Sequence, residues 1–188
     1  MRQLFGKRFW VLGATLILAG CSTSTQRGWI DEQTAVSVIA QGATLVLARE
    51  SFTAGVNVRD YAELGLLEIN RSGSRQPYLA IVCWSTINRT PDEMRQQAER
   101  LRQVTLWLDD QPLLLTSSEA ALSTPAFALP SPTARELYYA LTRDQLVALA
   151  AAQQLHLRPA DSVPGEQAYV LWRGTTKTLN KFAERLIP

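Results

Sequence analysis

Hydrophobic and polar residues alternate along much of this chain with the two-residue period of β-strands. Strand character of this kind, or a short continuous apolar run, extends over residues 43–50, 61–70, 78–86, 103–108, 113–116, 135–141, 155–158 and 167–173. The turn residues of 71–74 and 109–112 predict two antiparallel hairpins. Within 78–86 both alternating sets are mostly apolar, so this strand is expected to be central and covered on both faces.

Three further segments have the pattern of amphipathic helices. Thr90-Pro91-Asp92-Glu93 and Thr142-Arg143-Asp144-Gln145 match the capping box that starts a helix. The first is followed by Met94, Ala98 and Leu101, which fall on one helical face. A third helix is predicted to begin at Thr175 or Thr176, and its apolar stripe consists of Leu179, Phe182, Ala183 and Leu186.

Residues 31–42 are ambiguous. Asp31 could cap a helix, whereas the β-branched Val36, Val38 and Ile39 fit a strand equally well. We weakly favour a helix here. Together these elements predict an α+β domain over residues 31–188, with about three short helices. Its seven or eight strands would form a largely antiparallel sheet or a two-sheet sandwich.

Two irregular segments are candidate contact regions, because loops carry binding residues more often than the scaffold does. The first is an excursion around Gly55, and we take 52–60 as its contact region. The second runs from 117 to 133 and contains three prolines, with 123–133 as its contact region. The candidate interaction residues in these regions are Phe52, Asn57, Arg59 and Phe127.

The first 25 residues follow a different pattern. Arg2, Lys7 and Arg8 precede an apolar run over residues 9–18, which is too short to cross a bilayer comfortably. The run ends in Leu18-Ala19-Gly20-Cys21 and is followed by the polar residues 22–25. A basic flank, a short apolar run and small residues before a cleavage point are typical of a secretory signal. An N-terminal core helix that ends in cysteine is the alternative interpretation.

Leu18-Ala19-Gly20-Cys21 resembles the lipobox of bacterial lipoprotein precursors. The resemblance implies that residues 1–20 are removed, that Cys21 carries a diacylglyceryl group on sulfur, and that its new amine is acylated with a chain such as palmitate. Residues 21–30 would then form a lipidated tether. Because Ser22 stands where aspartate marks inner-membrane retention in Gram-negative cells, the resemblance implies attachment to the periplasmic face of the outer membrane.

Charge and cysteine content restrict the function classes. The chain has 19 basic and 17 acidic residues, but the leader holds three basic residues and no acidic one, which leaves 16 against 17. Nucleic-acid binding therefore has no electrostatic support. Beyond Cys21 the only cysteine is Cys83, which lies in an apolar run and is expected to be buried. With one further cysteine and one histidine, neither a typical metal site nor a cofactor is expected.

No catalytic motif stands out. His156 is the only histidine, and alternation in Leu155-His156-Leu157-Arg158 places it on the polar face of a strand. A nucleophile elbow of the G-x-S-x-G type is absent from the sequence. The acid pairs Asp92/Glu93 and Asp109/Asp110 fit a helix start and a turn. Asp60 and Glu63 have no such explanation.

Two functional hypotheses follow. The first is a lipid-anchored, non-enzymatic binding or scaffolding domain that faces the periplasm and contacts another envelope protein. The second is a periplasmic hydrolase or a binder of small ligands such as cell-wall or sugar fragments. The second requires a concave site, and the hydrolase requires in addition that His156 or an acid meets a nucleophile there.

Overall fold

The computed structural model describes residues 26–53, 56–87, 89–119 and 122–187. The lipobox residues Leu18, Ala19, Gly20 and Cys21 lie outside these ranges, as does Gly55. Across the described ranges, none of the helices combines the length and the apolar character needed to span a membrane.

The described chain forms ten strands and three helices. The strands are β1 (Gln26–Asp31), β2 (Val36–Gln41), β3 (Leu45–Thr53), β4 (Val56–Arg71), β5 (Ser74–Ser85), β6 (Gln103–Leu108), β7 (Gln111–Thr116), β8 (Arg135–Ala140), β9 (Leu155–Pro159) and β10 (Tyr169–Arg173). The helices are α1 (Pro91–Arg100), α2 (Arg143–Ala151) and α3 (Thr176–Leu186). All nine strand pairings are antiparallel, which confirms the predicted α+β class. The sheet has ten strands, two more than the larger of the predicted numbers, seven or eight.

The ten strands belong to one sheet that is organised around the long strand β4. One edge of β4 pairs with β3 along its first part and with β2 near its end, and the other edge pairs with β5. From β8 the order is β8-β5-β4-β3-β10-β9-β6-β7. Ser118, just after β7, donates its N–H to the carbonyl of Tyr138 in β8 at 2.7 Å. The two ends of the sheet therefore meet, and the sheet curls around its core.

The helix favoured for residues 31–42 is wrong, and so is the assignment of 26–30 to the tether. Both segments form the hairpin β1–β2. The Asp31 carboxylate accepts the N–H groups of Gln33 and Thr34, so it caps a short turn and not a helix. Val36 and Val38 are buried while Ser37 and Ile39 are exposed, which is the two-residue alternation of a strand.

The irregular excursion predicted around Gly55 is also wrong. Strands β3 and β4 continue pairing outward through Phe52 with Asn57 to Thr53 with Val56. Candidate residues Phe52, Asn57 and Arg59 consequently lie on a regular antiparallel hairpin.

Two apolar clusters occupy opposite faces of β4 and β5. The inner cluster contains Leu79, Ile81 and Cys83 of β5 together with the buried faces of the helices. The outer cluster contains Ala80 and Val82 and is covered by the chain segment 122–134. Strand β5 is thus buried on both faces, as its continuous apolar pattern predicts.

The three predicted helices are confirmed. Both capping boxes are formed, with the Thr90 and Thr142 hydroxyls accepting N–H groups three residues later. Met94 and Ala98 of α1 and Leu101, which caps its C-terminus, are buried, as expected. Gln97 lies on the same buried face, which the apolar pattern alone does not reveal.

The segment 122–134 is held to neighbouring strands at its start and near its middle. The Asp31 carboxylate accepts the N–H and hydroxyl of Ser123 at 2.6 and 2.8 Å. The Glu136 carboxylate accepts the N–H groups of Ala126 and Phe127 at 2.9 and 3.0 Å. Phe127 is buried in the outer cluster, so this candidate interaction residue is a packing residue in the structure.

Candidate functional site

Two neighbouring rungs of the hairpin β3–β4 place ion pairs on opposite faces of the sheet. Arg49 is paired in register with Asp60, and Glu50 is paired with Arg59. Arg49 lies two residues beyond the buried Leu47 and therefore faces the inner side. Glu50 and Arg59 face outward. The structure brings a buried site and an exposed surface together at this hairpin.

The inward-facing pair, Arg49 with Asp60, is the centre of a buried charge network. Asp60 is 2% exposed and accepts from Arg49 Nη2 at 3.2 Å and from Arg89 Nη2 at 2.7 Å. The second terminal nitrogen of Arg49 pairs with Glu166, whose other oxygen accepts from Arg100 Nη2 at 2.9 Å. The network thus joins β3 and β4 to the start and the end of α1 and to the β9–β10 connection.

A cleft of about 260 Å³ opens beside this network. Its polar wall comes from the arginines and from the side chains of α1, and its apolar floor comes from Leu101, Pro159 and Tyr169. The polar lining residues are Arg49, Arg89, Glu93, Gln96, Gln97 and Arg100. Asp60 and Glu166 do not line the cleft and lie behind the arginines that they pair with.

Three buried polar atoms of the cleft lining have no hydrogen-bond partner. They are Arg49 Nε, Arg89 Nε and Gln97 Oε1, and only two more such side-chain atoms occur in the rest of the described chain. Arg49 and Gln97 are only 9% and 7% exposed. Burial of a polar group without a partner is costly, so atoms of this kind are expected at a site that a ligand or water completes.

The surroundings of the cleft shift the pKa values of Tyr169 and Glu166, among other groups. Burial raises the pKa of Tyr169 to about 12, so its hydroxyl remains protonated at neutral pH. Hydrogen bonding from Arg100 lowers the pKa of Glu166 and keeps it ionised. The Arg49 guanidinium stacks over the Tyr169 ring at 4.6 Å, and Gln97 Nε2 donates to the Tyr169 hydroxyl at 3.4 Å.

The outward-facing pair, Glu50 with Arg59, lies next to exposed aromatic side chains. The Arg59 guanidinium lies 4.0 Å from the centre of the Trp172 ring and also pairs with Glu50. Trp172 is 55% exposed. Phe52 lies two residues beyond Glu50 on the same face and is 75% exposed. We call these four residues the hairpin surface.

His156 lies apart from both features. It occupies the outward side of β9 and stacks on Trp107, with ring centres 5.7 Å apart. Burial lowers its pKa, and it does not line the cleft beside the three arginines, which we call the arginine cleft.

Cys83 is buried as predicted, and burial raises its thiol pKa to about 11. Within the described ranges, no group of three or more His, Cys, Asp or Glu side chains could hold a metal ion.

Two of the cleft residues, Arg49 and Gln97, were missed because each lies at an apolar position of a periodic pattern. Arg49 continues the buried set that begins with Leu45 and Leu47, and Gln97 falls within the apolar stripe of α1. A polar residue at such a position is the signal that could have found the site. Asp60, which sequence patterns left unexplained, is the residue that connects the two arginines.

Comparisons with protein-family models, with curated proteins and with solved structures find no match for this chain.

Proposed function

We propose that this chain is a lipid-anchored envelope protein of Gram-negative type whose non-enzymatic domain faces the periplasm and binds another envelope protein. The anchor is supported by the lipobox-like Leu18–Cys21 after a short apolar run. The binding role is carried by one observation, the hairpin surface, on which the Arg59 guanidinium stacks over the exposed Trp172 ring beside the exposed Phe52. Trp, Phe and Arg are enriched in the cores of protein interfaces.

Charge favours a protein as the occupant of the hairpin surface. Glu50 neutralises Arg59, so the surface lacks the excess of basic residues that attracts anionic lipid. Further exposed apolar side chains lie beside it. Of the twelve large hydrophobic residues exposed in the described ranges, Phe52, Val170 and Trp172 lie on the outward side of β3 and β10. Clusters of this kind mark interaction sites.

The anchor is tested by the Cys21→Ser variant. We expect the wild-type protein from bacterial membranes to have the intact mass of residues 21–188 plus acyl chains, and the variant to lose both the acyl mass and the membrane attachment. Two or more chains are needed for stable attachment because each buried methylene contributes about 0.8 kcal/mol. An unmodified wild-type mass with Met1 retained would contradict the proposed lipid anchor.

The hairpin surface is tested by site-specific photocrosslinking from position 52, with identification of the product by mass spectrometry. We expect one envelope protein to be captured, and its capture to fall strongly when Trp172→Ser is added, because truncation of a central aromatic typically costs 2 kcal/mol or more, roughly 30-fold in affinity. The matched control is Leu114, which is also highly exposed but lies on β7.

Capture of the same protein from position 114, or unchanged capture in Trp172→Ser, would contradict the proposed surface. Crosslinks to lipid or to a second copy of the chain would assign the surface to a membrane or to self-association and would likewise overturn the proposal. Since Phe52 and Trp172 are exposed, the variants should keep the stability of the wild type.

A further inference from the structure

We infer that the arginine cleft is a binding site for a secondary amide, such as the N-acyl group of an amino sugar or the peptide unit of a short capped peptide. The inference is independent of the hairpin surface, which lies on the opposite face of the sheet. It starts from the number and type of the atoms that lack partners.

Those atoms match the hydrogen-bonding groups of one amide. Arg49 Nε and Arg89 Nε are donors, and Gln97 Oε1 is an acceptor. An amide carbonyl accepts two hydrogen bonds and an amide N–H donates one. A bound amide would therefore satisfy all three atoms. All three residues line the same cleft, and two of them are more than nine-tenths buried.

Charge balance favours a neutral ligand over an anion. The arginines of the cleft are matched by an equal number of carboxylates in ion pairs. These residues are Arg49, Arg89 and Arg100 with Asp60, Asp161 and Glu166. The further carboxylate Glu93 lines the cleft and is engaged by the N–H of Thr90. No positive charge is left over for a phosphate or a carboxylate.

The apolar floor and the size of the cleft suit a small acyl group. Leu101, Pro159 and the ring of Tyr169 provide carbon surface next to the polar wall. A volume of about 260 Å³ is just below the range of about 300–1,000 Å³ typical of drug-sized ligands. The cleft therefore suits an acetamido group or one peptide unit with its nearest substituents.

The test is titration of the full-length protein in detergent, followed by protein NMR, with N-acetylglucosamine and with N-acetylglycine methylamide. Glucose and methyl acetate are the matched probes, because the first lacks the acetamido group and the second lacks the amide N–H. We expect millimolar or tighter binding of at least one amide, with shifts confined to the cleft, and no binding of the matched probe. Binding of the sugar alone assigns the site to amino sugars, and binding of the capped peptide alone assigns it to peptides.

Gln97→Met removes the acceptor while it keeps the volume of the side chain. We expect about tenfold weaker amide binding, since the ligand N–H is left unpaired. The substitution also removes the hydrogen bond from Gln97 Nε2 to the Tyr169 hydroxyl, so the melting temperature is measured as the control for folding. Thr34→Val is the matched control, because Thr34 Oγ1 is also unpartnered but lies in the β1–β2 turn, and it should bind like the wild type.

Arg89→Lys keeps a cation next to Asp60 but loses Nε, so it tests the donor side if Gln97→Met does not fold. It should also weaken amide binding. The proposal is overturned if neither amide binds, if an amide and its matched probe bind equally, or if the folded cleft variants bind the amide like the wild type. Tighter binding of inorganic phosphate than of either amide would also overturn it.

Discussion

Asp60→Asn is expected to lower the free energy of unfolding by about 3–5 kcal/mol, because it leaves two arginines facing a buried site without their shared carboxylate. Asp60 is 2% exposed and accepts from both Arg49 and Arg89. Asparagine has the same shape but only one acceptor oxygen and no charge. The loss should be measured by urea unfolding of the purified protein, followed by circular dichroism.

The next rung of the same hairpin provides the control. Glu50→Gln breaks an ion pair with Arg59 that is exposed to water, so it should change the free energy of unfolding little. Both substitutions turn a carboxylate into an amide on one pair of strands. An Asp60→Asn loss no larger than that of Glu50→Gln would show that the buried network does not stabilise the fold.

Phe127→Ala is expected to cost about 3 kcal/mol, at the lower end of the range for buried phenylalanine because the covering segment 122–134 can partly close the gap. The Phe127 ring packs directly on Gly65 of β4. A Cβ atom at position 65 would lie 2.6 Å from Phe127 Cε1, so any side chain there must displace the ring. This contact explains why a glycine occupies the centre of a long buried strand.

A double-mutant cycle isolates that contact. Gly65→Ala should cost about 1–3 kcal/mol in the wild type, because it overpacks the outer cluster. In the Phe127→Ala background the same change should be neutral or slightly stabilising, since alanine suits a strand better than glycine by about 0.5–1 kcal/mol. Additive effects in urea unfolding would rule out the direct packing of Phe127 on Gly65.

Local sequence patterns predicted the elements that have a clear signal of their own. The capping boxes at Thr90 and Thr142 and the continuous apolar run of β5 are signals contained within a few residues, and all three were confirmed. Where local signals conflicted, as in residues 31–42, the interpretation failed. Tertiary context decided that segment, because Val36 and Val38 are buried against the outer cluster.

The arginine cleft depends on contacts that no local pattern contains. Arg49 meets Glu166 across 117 residues of sequence, and Gln97 meets Tyr169 across 72. These contacts exist because β10 pairs with β3 and because the buried face of α1 belongs to the inner cluster. Both arrangements follow from the burial of apolar faces. Apolar faces of this kind occur in many sequences and do not specify which elements will meet.

The amino-acid sequence by itself determined the strand and helix pattern of most of the domain, its antiparallel hairpins and the double burial of β5. The lipoprotein leader stays a prediction, because residues 1–25 lie outside the described ranges. Only the tertiary structure decided that Arg49 and Asp60 face inward and that Glu50 and Arg59 face outward. The reason is physical: a periodic pattern assigns each residue to a face, but the fold determines which faces meet and whether a buried charge finds its partner.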